Sequence, residues 1–139
     1  MSPVLDRFCD FYRSFDQRPL SELATIYHVD IEFQDPVHKV SGLADLQAYF
    51  ERSMQQVTRC RFDIEQLSEI DGEAYVRWNM QLVHPQLNGG KPVTVPGVSH
   101  LRFAELIHHH RDYFDLGAML YEQLPLLGRV IRAIKRRLA

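Results

Sequence analysis

Apolar positions along the chain change their spacing once, from a period near 3.6 to a period of 2, and that change divides the molecule. Val4, Leu5, Phe8, Cys9, Phe11, Tyr12 and Phe15 recur at helical spacing and predict an amphipathic helix; Pro3 suits its first turn and Ser2 is placed to cap it. Leu20, Leu23, Ala24 and Ile26 predict a second short helix ending near Tyr27 and His28. Val29 to Asp35 alternates and is stopped by Pro36, which predicts a short strand and a turn. Ser41 and Gly42 open a third helix, to about Met54, that buries Leu43, Leu46, Ala48 or Tyr49, and Phe50.

From Arg59 on, alternation takes over. Four longer strands are predicted, Arg61 to Ile70, Ala74 to His84, Pro92 to Glu105 and Leu106 to Asp115, joined as an antiparallel meander. In the second, Ala74, Val76, Trp78, Met80 and Leu82 share a face and Tyr75, Arg77, Asn79, Gln81 and Val83 take the other. Pro96-Gly97 marks a bulge or kink in the third. In the last, His108, His110, Asp112 and Phe114 point one way and His109, Arg111, Tyr113 and Asp115 the other. Arg77 and Arg111, from neighbouring strands, are expected to face outward, either at a dimer surface and paired with Asp115 or Glu73, or equally as solvated charges. Leu116 to Leu124 predicts another short helix halted at Pro125. The expected fold class is α+β, with helices gathered on one side of a bent sheet over 1–125 and a basic amphipathic helix of the same domain over 126–139.

Composition narrows the function classes. A chain of 139 residues makes one domain, and 45% hydrophobic with 24% charged residues is a folding composition. The net charge of -2 does not point to nucleic acid as the main partner. That total hides a basic tail: Arg129, Arg132, Lys135, Arg136 and Arg137 follow Leu126 with no acid among them, on an otherwise acidic body. Leu127, Val130, Ile131, Ile134 and Leu138 form that helix's other face. It is expected to dock on the body or on a dimer mate, ahead of binding an acidic protein or lying on an anionic membrane. Cys9 and Cys60 have neither metal spacing nor the number for a disulfide scaffold, and the N-terminus lacks a basic-then-apolar signal pattern, so a cytoplasmic location is expected.

The candidate chemistry lies on carboxylates. Asp35 precedes a proline, which fixes an extended backbone and the direction of its side chain; Asp is also a common turn former. Asp112 stands on the last strand beside His110 and Phe114, and His110 can hydrogen-bond it or titrate itself. In an apolar cavity desolvation raises one carboxyl's pKa toward neutrality, so that one of Asp35 and Asp112 takes a proton while the other gives it. Tyr12 is the polar handle of the first helix, and Trp78 lines core or pocket. His108 and His110 share the predicted face, but two ligands fall short of a metal set, and none is expected.

Three helices around one short strand, then four long strands, with Asp35-Pro36 after the first strand and Arg111-Asp112-Tyr113-Phe114-Asp115 on the last, resemble the nuclear-transport-factor-2-like superfamily. Its SnoaL-like polyketide cyclases, ketosteroid isomerases and limonene epoxide hydrolases enclose one deep pocket between helices and a concave sheet, a cone-shaped fold. Against the isomerases, Asp35 falls on the general base, Phe11 aligns with the oxyanion-hole tyrosine with Tyr12 adjacent, and Ser99 or Val98 stands where a protonated aspartate is found. Against the epoxide hydrolases, Asp112 resembles the aspartate that deprotonates water, while Arg77-Trp78-Asn79 resembles a pair whose acid is here an asparagine, which cannot protonate an epoxide. The SnoaL-like cyclases use an aspartate on the last strands as acid/base, and Asp112 is similar in placement.

The resemblance therefore implies a cofactor-independent isomerase, cyclase or hydrolase for a small hydrophobic substrate, with Asp35, Asp112 and His110 catalytic and Tyr12, Phe11, Trp78, Ser99, Leu101 and Phe114 around the substrate. A homodimer is also implied. The alternative is a ligand-binding or protein-interaction module of the same fold, in which the replaced positions reflect lost catalysis.

Overall fold

The computed structural model describes residues 1–119 and 125–139. A six-stranded mixed sheet carries the fold, in the order β2-β1-β6-β5-β4-β3, and it is open, with β2 and β3 as its edges. The strands are β1 (Tyr27–Gln34), β2 (Lys39–Ser41), β3 (Arg59–Ile70), β4 (Glu73–Val83), β5 (Val93–Phe103) and β6 (Ile107–Phe114). Helix α1 (Pro3–Arg13) precedes the sheet and α2 (Leu43–Met54) follows β2. The architecture is α+β, as the change of period predicts.

The meander β3 to β6 forms as the alternation requires. Its first turn is set by Asp71 and Gly72, both at positive φ (48° and 79°), the backbone of a tight hairpin whose twist matches that of the strands. The sheet's one parallel pair, β1 with β6, fixes where the acids go. It aligns Phe33 with His110 and Gln34 with Arg111, so Asp35 leaves β1 at the end of the sheet where β6 carries Asp112.

Helix α1 buries Val4, Leu5, Phe8, Cys9, Phe11 and Tyr12 against the sheet, and α2 buries Leu46, Tyr49 and Phe50. Full burial of a Leu or Phe side chain stabilises by about 1.5–3 kcal/mol over exposure, so these stripes hold both helices in place.

Several expectations are corrected. The second helix is instead a 3₁₀ turn, Leu20–Thr25; the first helix ends at Arg13, with Phe15 in a separate 3₁₀ turn, Phe15–Gln17; and β1 starts at Tyr27, earlier than predicted. Strand β2, unpredicted, is three residues paired with the end of β1. Ser2 ends the helix through its carbonyl, which accepts from the Leu5 and Asp6 N–H groups; its side chain makes no cap. A register shift between β5 and β6 pairs Phe103 with Ile107 and Arg102 with His109, leaving His108 exposed rather than on the face of His110. β4 and β6 are not neighbours, since β5 lies between them; Arg77 pairs with Glu65 at 2.9 Å, and Arg111 lies 4.8 Å over the Tyr113 ring. Of the helix predicted over 116–124, one turn, α3 (Leu116–Met119), is described and the rest lies outside the described residues. α4 (Pro125–Leu138) forms as predicted; of its apolar face Leu127, Val130, Ile134 and Leu138 are exposed and Ile131 is half-buried.

Candidate active site

Between the helices and the concave sheet face lies a cavity of about 620 Å³, within the size range of small-molecule sites. Phe33, Phe50, Phe62, Trp78, Met80 and Phe114 give it an apolar wall, and it reaches the surface beside Val37, Arg52 and Gln86. Tyr12, Asp35 and Asp112 all line it. The two acids, far apart in sequence, thus share one cavity.

Asp112 ends a buried hydrogen-bonded chain. His110, 1% exposed, places Nε2 2.6 Å from Asp112 Oδ1 and Nδ1 2.7 Å from the Tyr27 hydroxyl, which is 2.7 Å from the Tyr12 hydroxyl. On the other side, the Ser99 hydroxyl donates to the same Asp112 oxygen at 2.5 Å and accepts from the Trp78 indole N–H at 2.9 Å. Six residues from five elements are joined, and Oδ2 of Asp112 has no hydrogen-bond partner among the described residues.

The local sequence explains the chain. His110 and Asp112 alternate onto one strand face, and Ser99 sits opposite Asp112 in the β5–β6 register. Phe8, Phe33 and Tyr27 pack around the imidazole with ring centroids 4.8–5.8 Å away. Gly97 leaves the room that Trp78 fills: a Cβ there would lie 2.3 Å from the indole ring.

Burial holds the Tyr12 and Tyr27 hydroxyls well above the ordinary tyrosine pKa, Tyr12 further raised by Asp112 and Tyr27 by Tyr12. Both phenols therefore keep their protons, and each can donate one. Two arrangements satisfy the chain. With a neutral imidazole, Tyr12 donates to Tyr27, Tyr27 to Nδ1, and Nε2–H to the carboxylate. With an imidazolium, Nδ1–H donates to Tyr27, Tyr27 to Tyr12, and the Tyr12 hydroxyl is free to donate into the cavity.

Asp35 is engaged differently. Its Oδ1 accepts from the Val37 and His38 N–H groups, both at 2.8 Å, and Oδ2 accepts from the Tyr49 hydroxyl at 2.6 Å. It is an Asx turn former and a cavity-wall residue at once. Burial, with the Asp35 bond second, pushes the Tyr49 hydroxyl up, so Tyr49 remains a donor.

The other expected site residues divide. Trp78 and Phe114 line the cavity; Ser99 is buried one bond behind it. Phe11 and Leu101, both 0% exposed, sit in the core and do not line the cavity, because their strand and helix faces pack inward. Asn79 projects from the opposite sheet face to Trp78 and donates to Glu65. The sequence reading does not single out Tyr27 and Tyr49 for the site; an irregularity in β1 between Tyr27 and Glu32 leaves Val29 65% exposed, so alternation from Phe33 does not reach Tyr27. Among the described residues, no group of three or more His, Cys, Asp or Glu side chains is placed to hold a metal ion.

Fold and site together define a small α+β protein with titratable groups on the wall of a cavity. The chain belongs to the SnoaL-like domain family, which matches residues 8–107. It is similar to a protein of Shewanella putrefaciens assigned to the SnoaL-like polyketide cyclases, at 23% identity over 84% of this chain and 90% of that one, TM-score 0.69. It is also similar to a Catenulispora acidiphila protein of ketosteroid isomerase-like fold, solved with trimethylamine, at 15% identity over 90% and 96%, TM-score 0.75. AclR of Streptomyces galilaeus, named as a hydroxylase, matches at 17% identity over 84% and 79%, TM-score 0.67. At these identities the likeness is one of fold. No curated protein sequence matches the chain.

Proposed function

We propose that the chain is a cofactor-independent acid/base enzyme for a small, largely apolar carbonyl compound, with Asp112 as the base. One observation carries the reading: on the cavity-lining Asp112, Oδ1 is held by His110 and Ser99 while Oδ2 has no hydrogen-bond partner among the described residues. A carboxylate fixed by two donors and aimed by one free oxygen is oriented for proton transfer.

In the reaction, Oδ2 takes a proton from the carbon beside the substrate carbonyl, and the electron pair moves onto the carbonyl oxygen. The Tyr12 hydroxyl, released by the imidazolium arrangement, donates to that oxygen. Return of the proton to another carbon completes an isomerisation. Alternatively, the enolate carbon attacks a second carbonyl of the same molecule, a carbon–carbon bond forms, and Asp112 returns its proton to the new alkoxide, completing a cyclisation. Asp35 holds Tyr49 and the cavity rim in this scheme and transfers no proton.

A second reading, ligand binding without turnover, draws on Asp35, whose two oxygens are both occupied. Deuterium exchange separates the two. In D₂O the protein should accelerate exchange of the acidic protons of 2-tetralone, an aromatic ketone sized to the cavity, as followed by proton NMR. Asp112→Asn should lower that acceleration about 100-fold or more. Exchange at the buffer rate with wild type would leave the binding module.

A further inference from the structure

Helix α4 carries five basic residues and no acid. At 3.6 residues per turn, Leu127, Val130, Ile131, Ile134 and Leu138 fall in one arc and Arg129, Arg132 and Arg136 in the opposite one, with Lys135 and Arg137 at the two borders. Most of the apolar arc is open: Leu127 is 43% exposed, Val130 50%, Ile134 52% and Leu138 82%, while Ile131 is half-buried. A line of large aliphatic side chains in water invites cover.

The helix has a fixed place. Lys135 Nζ lies 3.2 Å from Asp115 Oδ2, and the other Asp115 oxygen accepts from the Ala118 N–H at 3.1 Å, at the start of α3. Asp115 follows closely on Asp112 and Phe114 of the cavity wall, and Met119 of α3 lines the same cavity. The basic helix is therefore tied to the end of β6 that bears the site.

We propose that α4 seats the protein on an anionic bilayer surface, with its apolar arc in the acyl boundary and Arg129 and Arg136 among the headgroups. Charge chooses this occupant. A second copy packed on the apolar arc would leave the basic side chains of both helices facing water, with no acid on either helix to pair them or set a register. A bilayer needs no register, accepts the aliphatic arc and supplies the negative charge. No helix among the described residues is long and apolar enough to cross a membrane, so the contact is superficial. Seating through α4 brings the cavity end to a phase in which apolar molecules dissolve. The proposal holds whether or not Asp112 is catalytic.

Co-sedimentation of the full chain with vesicles tests it. Vesicles of equal parts phosphatidylglycerol and phosphatidylcholine should bind the protein, phosphatidylcholine alone should not, and added salt should weaken binding. Arg129→Gln with Arg136→Gln should lower the partition coefficient roughly 25-fold, about five-fold per charge. Ile134→Glu should abolish binding and Ile134→Phe strengthen it, with the Trp78 emission and the thermal transition unchanged in each variant. Absence of binding to the anionic vesicles, equal binding to both, or indifference to Ile134→Glu would overturn the proposal. So would a dimer that Ile134→Glu dissociates, which would assign the face to a second copy.

Discussion

His110 and Asp112 are joined side chain to side chain across one step of strand alternation, with Nε2 2.6 Å from Oδ1. The imidazole cannot turn away, because its other nitrogen is held by Tyr27 at 2.7 Å and three aromatic rings enclose it. A carboxylate aimed by a locked histidine is a better base than one that must be oriented at each encounter.

Tyr27→Phe tests the lock. It leaves His110 Nδ1 and the Tyr12 hydroxyl buried with one partner fewer, which costs about 1–3 kcal/mol of stability in urea unfolding. Exchange of 2-tetralone should fall roughly 10-fold while quenching of Trp78 by bound ligand persists. Unchanged exchange in a folded Tyr27→Phe protein would detach the tyrosine chain from the chemistry.

Asp35→Asn tests the division of labour between the acids. The amide keeps an acceptor oxygen for the turn, so exchange should stay within about three-fold of wild type, whereas Asp35→Ala should loosen the rim and cost on the order of 1 kcal/mol. A 100-fold loss of exchange in Asp35→Asn would make Asp35 a reacting group.

Gly97→Ala tests the packing behind the site. With the new Cβ 2.3 Å from the Trp78 ring, the indole must shift, at about 1–3 kcal/mol, and lose its bond to Ser99. Denaturation midpoint and Trp78 emission should both move. A wild-type spectrum and midpoint would show that the indole is not pinned there.

These positions differ in how legible they are from sequence. Alternation exposes Trp78 because β4 is long and one-sided, and Asp112 because β6 alternates regularly from His110 on; the family resemblance brings out Asp35, Tyr12 and Ser99. Tyr27 is obscured by a helix-like spacing, Leu20 to Ile26, that the chain resolves as a 3₁₀ turn before an early strand. The union of Tyr27 with His110 depends on the parallel β1–β6 pair, whose partners are distant in the chain. β2 is too short for any period, and the bulge that turns His108 outward depends on the register of two strands, which no single strand records. The fold was thus open to reading from periodicity, while the hydrogen-bonded chain arises from pairings that periodicity does not encode.

Alkaline titration should destabilise the protein. Burial, with Asp16 adding to it, pushes the Cys60 thiol up to about 12, above the ~8.5 of an unfolded chain. The folded state thus keeps a proton that the unfolded state gives up between those values. The stabilisation is complete below the unfolded pKa and is lost as pH rises through the folded one, by up to about 1.4 kcal/mol per pH unit per group. Tyr12 and Tyr27, also raised, join above about pH 10. Urea midpoints should decline steadily from pH 8 to pH 11, less steeply in Cys60→Ala; flat midpoints would show that these groups are not buried.

The free oxygen of Asp112 is most directly examined by a crystal structure with 2-naphthol, a stable mimic of the enol of 2-tetralone. The phenol oxygen should lie in the cavity within about 2.6–3.2 Å of Asp112 Oδ2. A naphthol bound elsewhere, a cavity closed by its own side chains, or an Asp112 turned from the ligand would contradict the assignment.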